Sequence, residues 1–118
     1  MNLLNLFRHS ENVEQYSAGQ KIFDEGQSGD VMYVVLQGEV EILAHGQPIG
    51  TVGPGDLLGE MALIDSKARS ATAMALSDCQ LAPVNEKRFL FMVQEHPFFA
   101  LHVMRTLVGK LRVITPKV

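Results

Sequence analysis

A chain of 118 residues, 47% hydrophobic and 19% charged, has the length for one core and little for a second, and it is too apolar to remain disordered. Its net charge of −3 hides an asymmetry: residues 1–84 hold 4 Lys/Arg against 11 Asp/Glu, whereas residues 85–118 hold 6 against 2. The acidic first part argues against a nucleic-acid surface there, since such surfaces need clustered cations, and the basic tail, spread at helical spacing, reads mostly as a solvated face, with a nucleic-acid or acidic-partner contact as the alternative.

In chain order, MNLLNLFRHSEN lacks the basic n-region and small-residue cleavage site of a secretory signal, and LLNLF reads as a short helix or arm within about residues 1–10. From Tyr16 to Leu81 glycines punctuate short runs of strand character: KIF, VMYVVL, EVEIL, PIGTV, SATAMAL and CQLAPV. Val31 to Leu36 is β-branched and aromatic enough for a buried strand, whereas in GEVEILA the alternation is spoiled by Leu43. Breaks such as EGQSGD, AHGQP and GPGD are closely spaced, which predicts an antiparallel barrel or jelly roll over about 16–84. A parallel sheet needs crossovers of a dozen or more residues, for which there is no room.

After Pro83 the pattern turns helical through about residue 114. Asn85 can cap a helix through EKRFLFMVQE, His96-Pro97 interrupts it, and Pro97 suits the first turn of another. In that last helix Ala100, Met104, Leu107, Leu111 and Ile114 form one apolar stripe, expected to pack on the roll or to pair with a second copy as a homodimer. No apolar run approaches the roughly 18 residues of a membrane span. The single cysteine, Cys79, cannot form an internal disulfide and suits a reducing compartment, so a cytoplasmic location is expected.

The stretch GEMALIDSKARSATA places one acid, Glu60, and one base, Arg69, nine positions apart in a half-apolar segment. A glycine-rich approach followed by a short helix leaves backbone N–H groups unpaired where the helix dipole is positive, a setting that suits phosphate. The planar arginine fork adds two donors for phosphate oxygens. A carboxylate repels phosphate but accepts from a sugar hydroxyl, so the pair fits a ribose phosphate.

Gly59, Glu60, Ala62, Leu63, Arg69, Ser70, Ala71 and Thr72 fit the pattern G-E-x-A-L-x5-R-[ST/A]-A-T. On these residues the chain resembles the cyclic-nucleotide-binding domain family, found in catabolite-activator regulators, protein kinase A regulatory subunits and cyclic-nucleotide-gated channels. YSAGQKIFDEGQSGDVMYVVLQGEVEI and VGPGDLLGE resemble the family's first strands and the approach to its phosphate-binding cassette, so the likeness spans about residues 16–112. The resemblance implies a mainly β fold with flanking helices: an antiparallel β-roll (double-stranded jelly roll), a short phosphate-binding helix and two C-terminal helices, forming a single domain over 1–118.

The resemblance also implies a ligand-binding set of Gly59, Glu60, Met61, Ala62, Arg69 and Ser70. Glu60 would accept from the ribose 2′-hydroxyl beside the Gly59 backbone, and Arg69 would hold the exocyclic phosphate oxygens. Ala62 and Ser70 would lend backbone N–H groups, with the Ser70 hydroxyl adding a bond. Family members that prefer cyclic GMP often carry threonine after the arginine; Ser70 there favours cyclic AMP. Arg105, Val108 and Leu111 are the candidate lid over the base. The N-terminal helical region is shorter than the family's, and the chain stops at TPKV with no helix-turn-helix, so it is not expected to bind DNA by itself.

Other groupings are weaker. His9, His45, His96 and His102 show no tight ligand spacing, so neither a metal nor a cofactor is expected, and a cupin-type enzyme is disfavoured. Cys79 reads as a small buried hydrophobe, and Asp56 and Asp65 as turn caps. With no catalytic constellation, the expectation is no enzyme but a stand-alone sensor of a cyclic mononucleotide, acting on an unidentified effector protein. A ligand-free interaction module with the same fold is the alternative.

Overall fold

Strand β3 (Met32–Gln37) shows how the chain is layered. Successive residues of a strand face opposite ways, and here both faces are covered: Val34 and Val35 are each fully buried, in different hydrophobic clusters. Hence VMYVVL has no polar alternation. The computed structural model of the protein describes residues 3–10 and 12–114, with side chains through residue 110.

Around β3 lie α1 (Leu3–Phe7), β1 (Glu14–Tyr16), β2 (Lys21–Phe23), β4 (Val40–Ala44), β5 (Gln47–Val52) and β6 (Leu57–Leu58). The chain continues through α2 (Glu60–Asp65), β7 (Thr72–Ala75), β8 (Cys79–Val84), α3 (Glu86–Glu95) and α4 (Phe98–Ile114). One sheet has the order β1-β8-β3-β6, the other β2-β7-β4-β5, and every strand pair is antiparallel. This is the expected antiparallel β-roll with flanking helices. The first sheet is the middle layer. Its Val34, Leu57 and Ala82 face a core shared with Phe7, Leu63, Met92, Phe99 and Val103 of the helices. Its Val35, Leu58 and Leu81 face Phe23, Val40, Ala73 and Ala75 of the second sheet.

The irregular alternation at Leu43 has a local cause: the β4–β5 register shifts between Ile42 and Leu43, where Ile42 faces Gly50 but Leu43 faces Pro48. The hairpin closes through His45-Gly46, whose φ values of 53° and 77° are those of a type I′ turn. Strand β5 is an edge strand with Ile49 63% exposed, which explains why PIGTV carries a proline and no inward stripe. Strands β1 and β6, of 3 and 2 residues, fall outside the runs read as strands from the sequence. They are too short to display a period.

The helical boundaries follow local chemistry. Asn85 caps α3, its side chain accepting from the Arg88 N–H at 2.8 Å, and the helix ends at His96 before Pro97. In α4 the buried side chains are Phe99 and Val103, with Leu107 packed beside them, whereas Met104 of the expected stripe is 54% exposed. The stripe is displaced because Phe99, between Phe7 at 5.7 Å and Phe89 at 5.5 Å, sets the rotation of the helix. The side chains of Leu111 and Ile114 lie outside the described residues.

Candidate functional site

Strand β6 delivers the chain to Gly59, whose φ of 75° turns it into α2. No side chain caps that helix, so the amides of its first turn, Met61 and Ala62 among them, lack an intrahelical partner. Ser66 ends it in the left-handed conformation, donating its N–H to the Ala62 carbonyl at 3.0 Å. Asp56 and Asp65 act as turn caps here, accepting from the N–H groups of Gly53 at 2.9 Å and Lys67 at 3.0 Å.

Arg69 is held by backbone before its side chain makes any contact. Its N–H donates to the Gln27 carbonyl at 2.9 Å, and its carbonyl accepts from the Gly26 N–H at 2.8 Å. The guanidinium then lies over the Phe23 ring, 4.2 Å from its centroid, and donates through Nη1 to the Gly59 carbonyl at 3.3 Å. Two glycines make the space. A Cβ on Gly59 would stand 2.5 Å from Nη1, and one on Gly29 would stand 2.5 Å from Nε. Arg69 is 6% exposed and its Nε has no partner. Burial pulls the guanidinium below its ordinary pKa, opposed by Tyr33 and Asp30, and an arginine so placed stays charged.

Glu60 is fully buried. Its Oε1 pairs with the Lys110 ammonium of α4, and its Oε2 is buried without a partner. Thus α2 carries the acid, and Arg69 reaches the residue just before it. Met61 is half-buried and its sulfur lies 3.9 Å from the exposed Ser70 hydroxyl; Ala62 is buried. Arg105 and Val108, the described part of the expected lid, are exposed on α4, and Leu111 lies outside the described side chains.

Lys110 was missed by sequence reasoning because the basic tail reads as a solvated face; no local pattern links a lysine to a glutamate fifty residues earlier. Cys79 is buried, its Sγ near the carbonyls of Glu39 at 3.3 Å and Ser77 at 3.2 Å, and burial raises its thiol pKa, so it is an inert core residue. Among the described residues no group of three or more His, Cys, Asp or Glu is placed to hold a metal, and no helix is long and apolar enough to cross a membrane.

Residues 13–96 match the family model of the cyclic nucleotide-binding domain. A cyclic AMP receptor protein of Thermus thermophilus is 31% identical over 102 residues, covering 82% of this chain and 47% of the relative. Lysophospholipase nte1 of Aspergillus oryzae is 31% identical over 103 residues, covering 83% of this chain and 7% of that enzyme. The crystal structure of the Thermus thermophilus catabolite activator protein superposes with a TM-score of 0.82 at 30% identity, covering 90% of this chain and 52% of that one. The chain therefore spans less than half the length of these two curated relatives.

Proposed function

Because the chain belongs to the cyclic nucleotide-binding domain family, we propose that it is a single regulatory domain that binds cyclic AMP in preference to cyclic GMP. The observation that carries this reading is the pair of buried, incompletely satisfied groups in one cassette: Arg69 with a free Nε and Glu60 with a free Oε2. Buried polar atoms without partners are rare and costly, and a ligand with an anion and a neighbouring hydroxyl would satisfy both. Arg69 holds the cyclic phosphate and Glu60 accepts from the ribose 2′-hydroxyl. Gly59, Met61, Ala62 and Ser70 line the approach.

Ser70 in place of threonine after the arginine is what supports cyclic AMP. The receptor named for cyclic AMP is a relative, and so is a lysophospholipase, so the reading concerns ligand capture rather than what a longer protein does with it. Output passes through α4, which repacks on binding. Its exposed Phe98, Met104 and Val108 offer contact to an effector protein or a second copy. The domain has no catalytic role in this reading and works in the cytoplasm without a cofactor.

Thermal unfolding with and without 1 mM cyclic AMP or cyclic GMP tests the proposal. A micromolar binder gains about 4 kcal/mol at a thousandfold excess over Kd. The gain is expected to be larger with cyclic AMP and strongly reduced in Arg69→Ala. No shift with either nucleotide would refute the sensor and leave a ligand-free interaction module.

A further inference from the structure

Helix α4 is anchored unevenly. Its first half is fixed by Phe99 and Val103, with Leu107 beside them, whereas Val108, Gly109 and Lys110 are exposed. Among the described side chains, Lys110 ties this end to the rest of the protein through its pair with Glu60, fifty residues away in sequence. The two partners are unequal. Glu60 is 0% exposed, but the Lys110 side chain is 44% exposed. A fully buried carboxylate needs a hydrogen-bonding partner, which a ligand hydroxyl can supply, while a half-exposed ammonium regains water readily when it leaves. Gly109, adjacent to Lys110, has open space where a side chain would be and weakens the helix there.

Glu60 is therefore closed to solvent, and the group on its Oε1 is a half-exposed side chain near the end of α4. Oε2 is unpartnered but equally buried, so a ribose hydroxyl reaches the carboxylate only when its cover opens. We infer that Lys110 is a ligand-displaced latch: its ammonium holds Glu60 and the end of α4 in the nucleotide-free chain, and the ribose 2′-hydroxyl takes its place and frees the helix. The inference rests on the cyclic-nucleotide reading of the site. It makes the sugar hydroxyl the trigger of the helix movement, distinct from the phosphate, which supplies affinity through Arg69. A ligand lacking that hydroxyl binds without releasing α4.

Lysine footprinting with acetic anhydride on the wild-type chain tests this, with the exposed Lys67 and Lys87 as internal references. Saturating cyclic AMP is expected to raise Lys110 acetylation several-fold, and saturating 2′-deoxy cyclic AMP to leave it near the free level. Lys110→Gln is expected to bind cyclic AMP about two- to fivefold more tightly, the size of a partly exposed ion pair, and Lys110→Arg to bind like wild type. Unchanged or reduced Lys110 labelling with cyclic AMP bound, or equal release by the deoxy ligand, would overturn the latch alone. Weaker binding by a folded Lys110→Gln would do the same. Absence of nucleotide binding by both wild type and Lys110→Gln would overturn the site reading with it.

Discussion

The two hydrophobic clusters on either side of the first sheet are built from different parts of the chain. The inter-sheet cluster draws on residues between Phe23 and Leu81, within one continuous run of strands. The helix-side cluster joins the two ends, Leu3 and Phe7 with Met92, Phe99 and Val103, across the sheet residues Met32, Val34 and Val84. The candidate site straddles this division. Arg69 belongs to the inter-sheet side, seated on Phe23 and bonded to the β2–β3 loop backbone. Glu60 is tied to the helix side through Lys110. An arginine set in a backbone frame and a carboxylate whose partner sits on a terminal helix can respond to a ligand differently: one as a fixed anchor, the other as a reporter.

The largest effect should come from breaking the helix side. Phe99→Ala removes the ring between Phe7 and Phe89 and is expected to cost about 3–5 kcal/mol in denaturant unfolding. Amide exchange should rise more in α1, α3 and α4 than in β4 and β7. Equal rises throughout would show that the two clusters unfold as one. Next, Gly59→Ala places a Cβ against Nη1 and forces a left-handed alanine, a conformation costing about 1–2 kcal/mol. Cyclic AMP titration calorimetry should show a loss comparable with the roughly 10- to 150-fold expected for Arg69→Ala, although the guanidinium is still present. Retained affinity would mean that the Arg69 frame is not rigid.

A smaller effect sharpens the inter-sheet side. Burial, together with the bond to Glu14 at 2.5 Å, raises the Tyr16 phenol above its ordinary pKa of 10, and burial raises that of Tyr33. Above pH 10 the unfolded chain ionises while the folded chain resists, so this contribution is intact below pH 10 and is lost as pH rises beyond it. Melting curves from pH 8 to 11 should fall less steeply above pH 10 in Tyr16→Phe than in wild type. Smallest is the hairpin turn. His45→Asn suits the left-handed φ of 53° and is expected to stabilise by about 0.5 kcal/mol, since the His45–Glu25 contact it removes is 89% exposed on the histidine side. A lower melting temperature would give that contact the larger share.

Much of this architecture was legible locally. Asn85, His96 and Pro97 mark the ends of α3 and α4 because capping and the missing proline N–H act within a few residues. KIF, EVEIL and CQLAPV read as strands because the cover of a sheet face imposes their composition. The α4 stripe was not fully legible: Met104 and Phe99 are both apolar, and only the fit of Phe99 between two other rings decides which one is buried. The bulge at Leu43 left only a spoiled alternation in the sequence.

By itself the sequence determined the antiparallel roll, its helical ends and the Gly59–Thr72 cassette with its acid and base, because these depend on residue types at short spacing. Tertiary structure alone decided that Arg69 is wedged between Gly29, Gly59 and Phe23, and that Glu60 is closed off by Lys110. Those contacts join residues that strand pairing and helix packing bring together from distant positions, and no spacing rule along the chain encodes them.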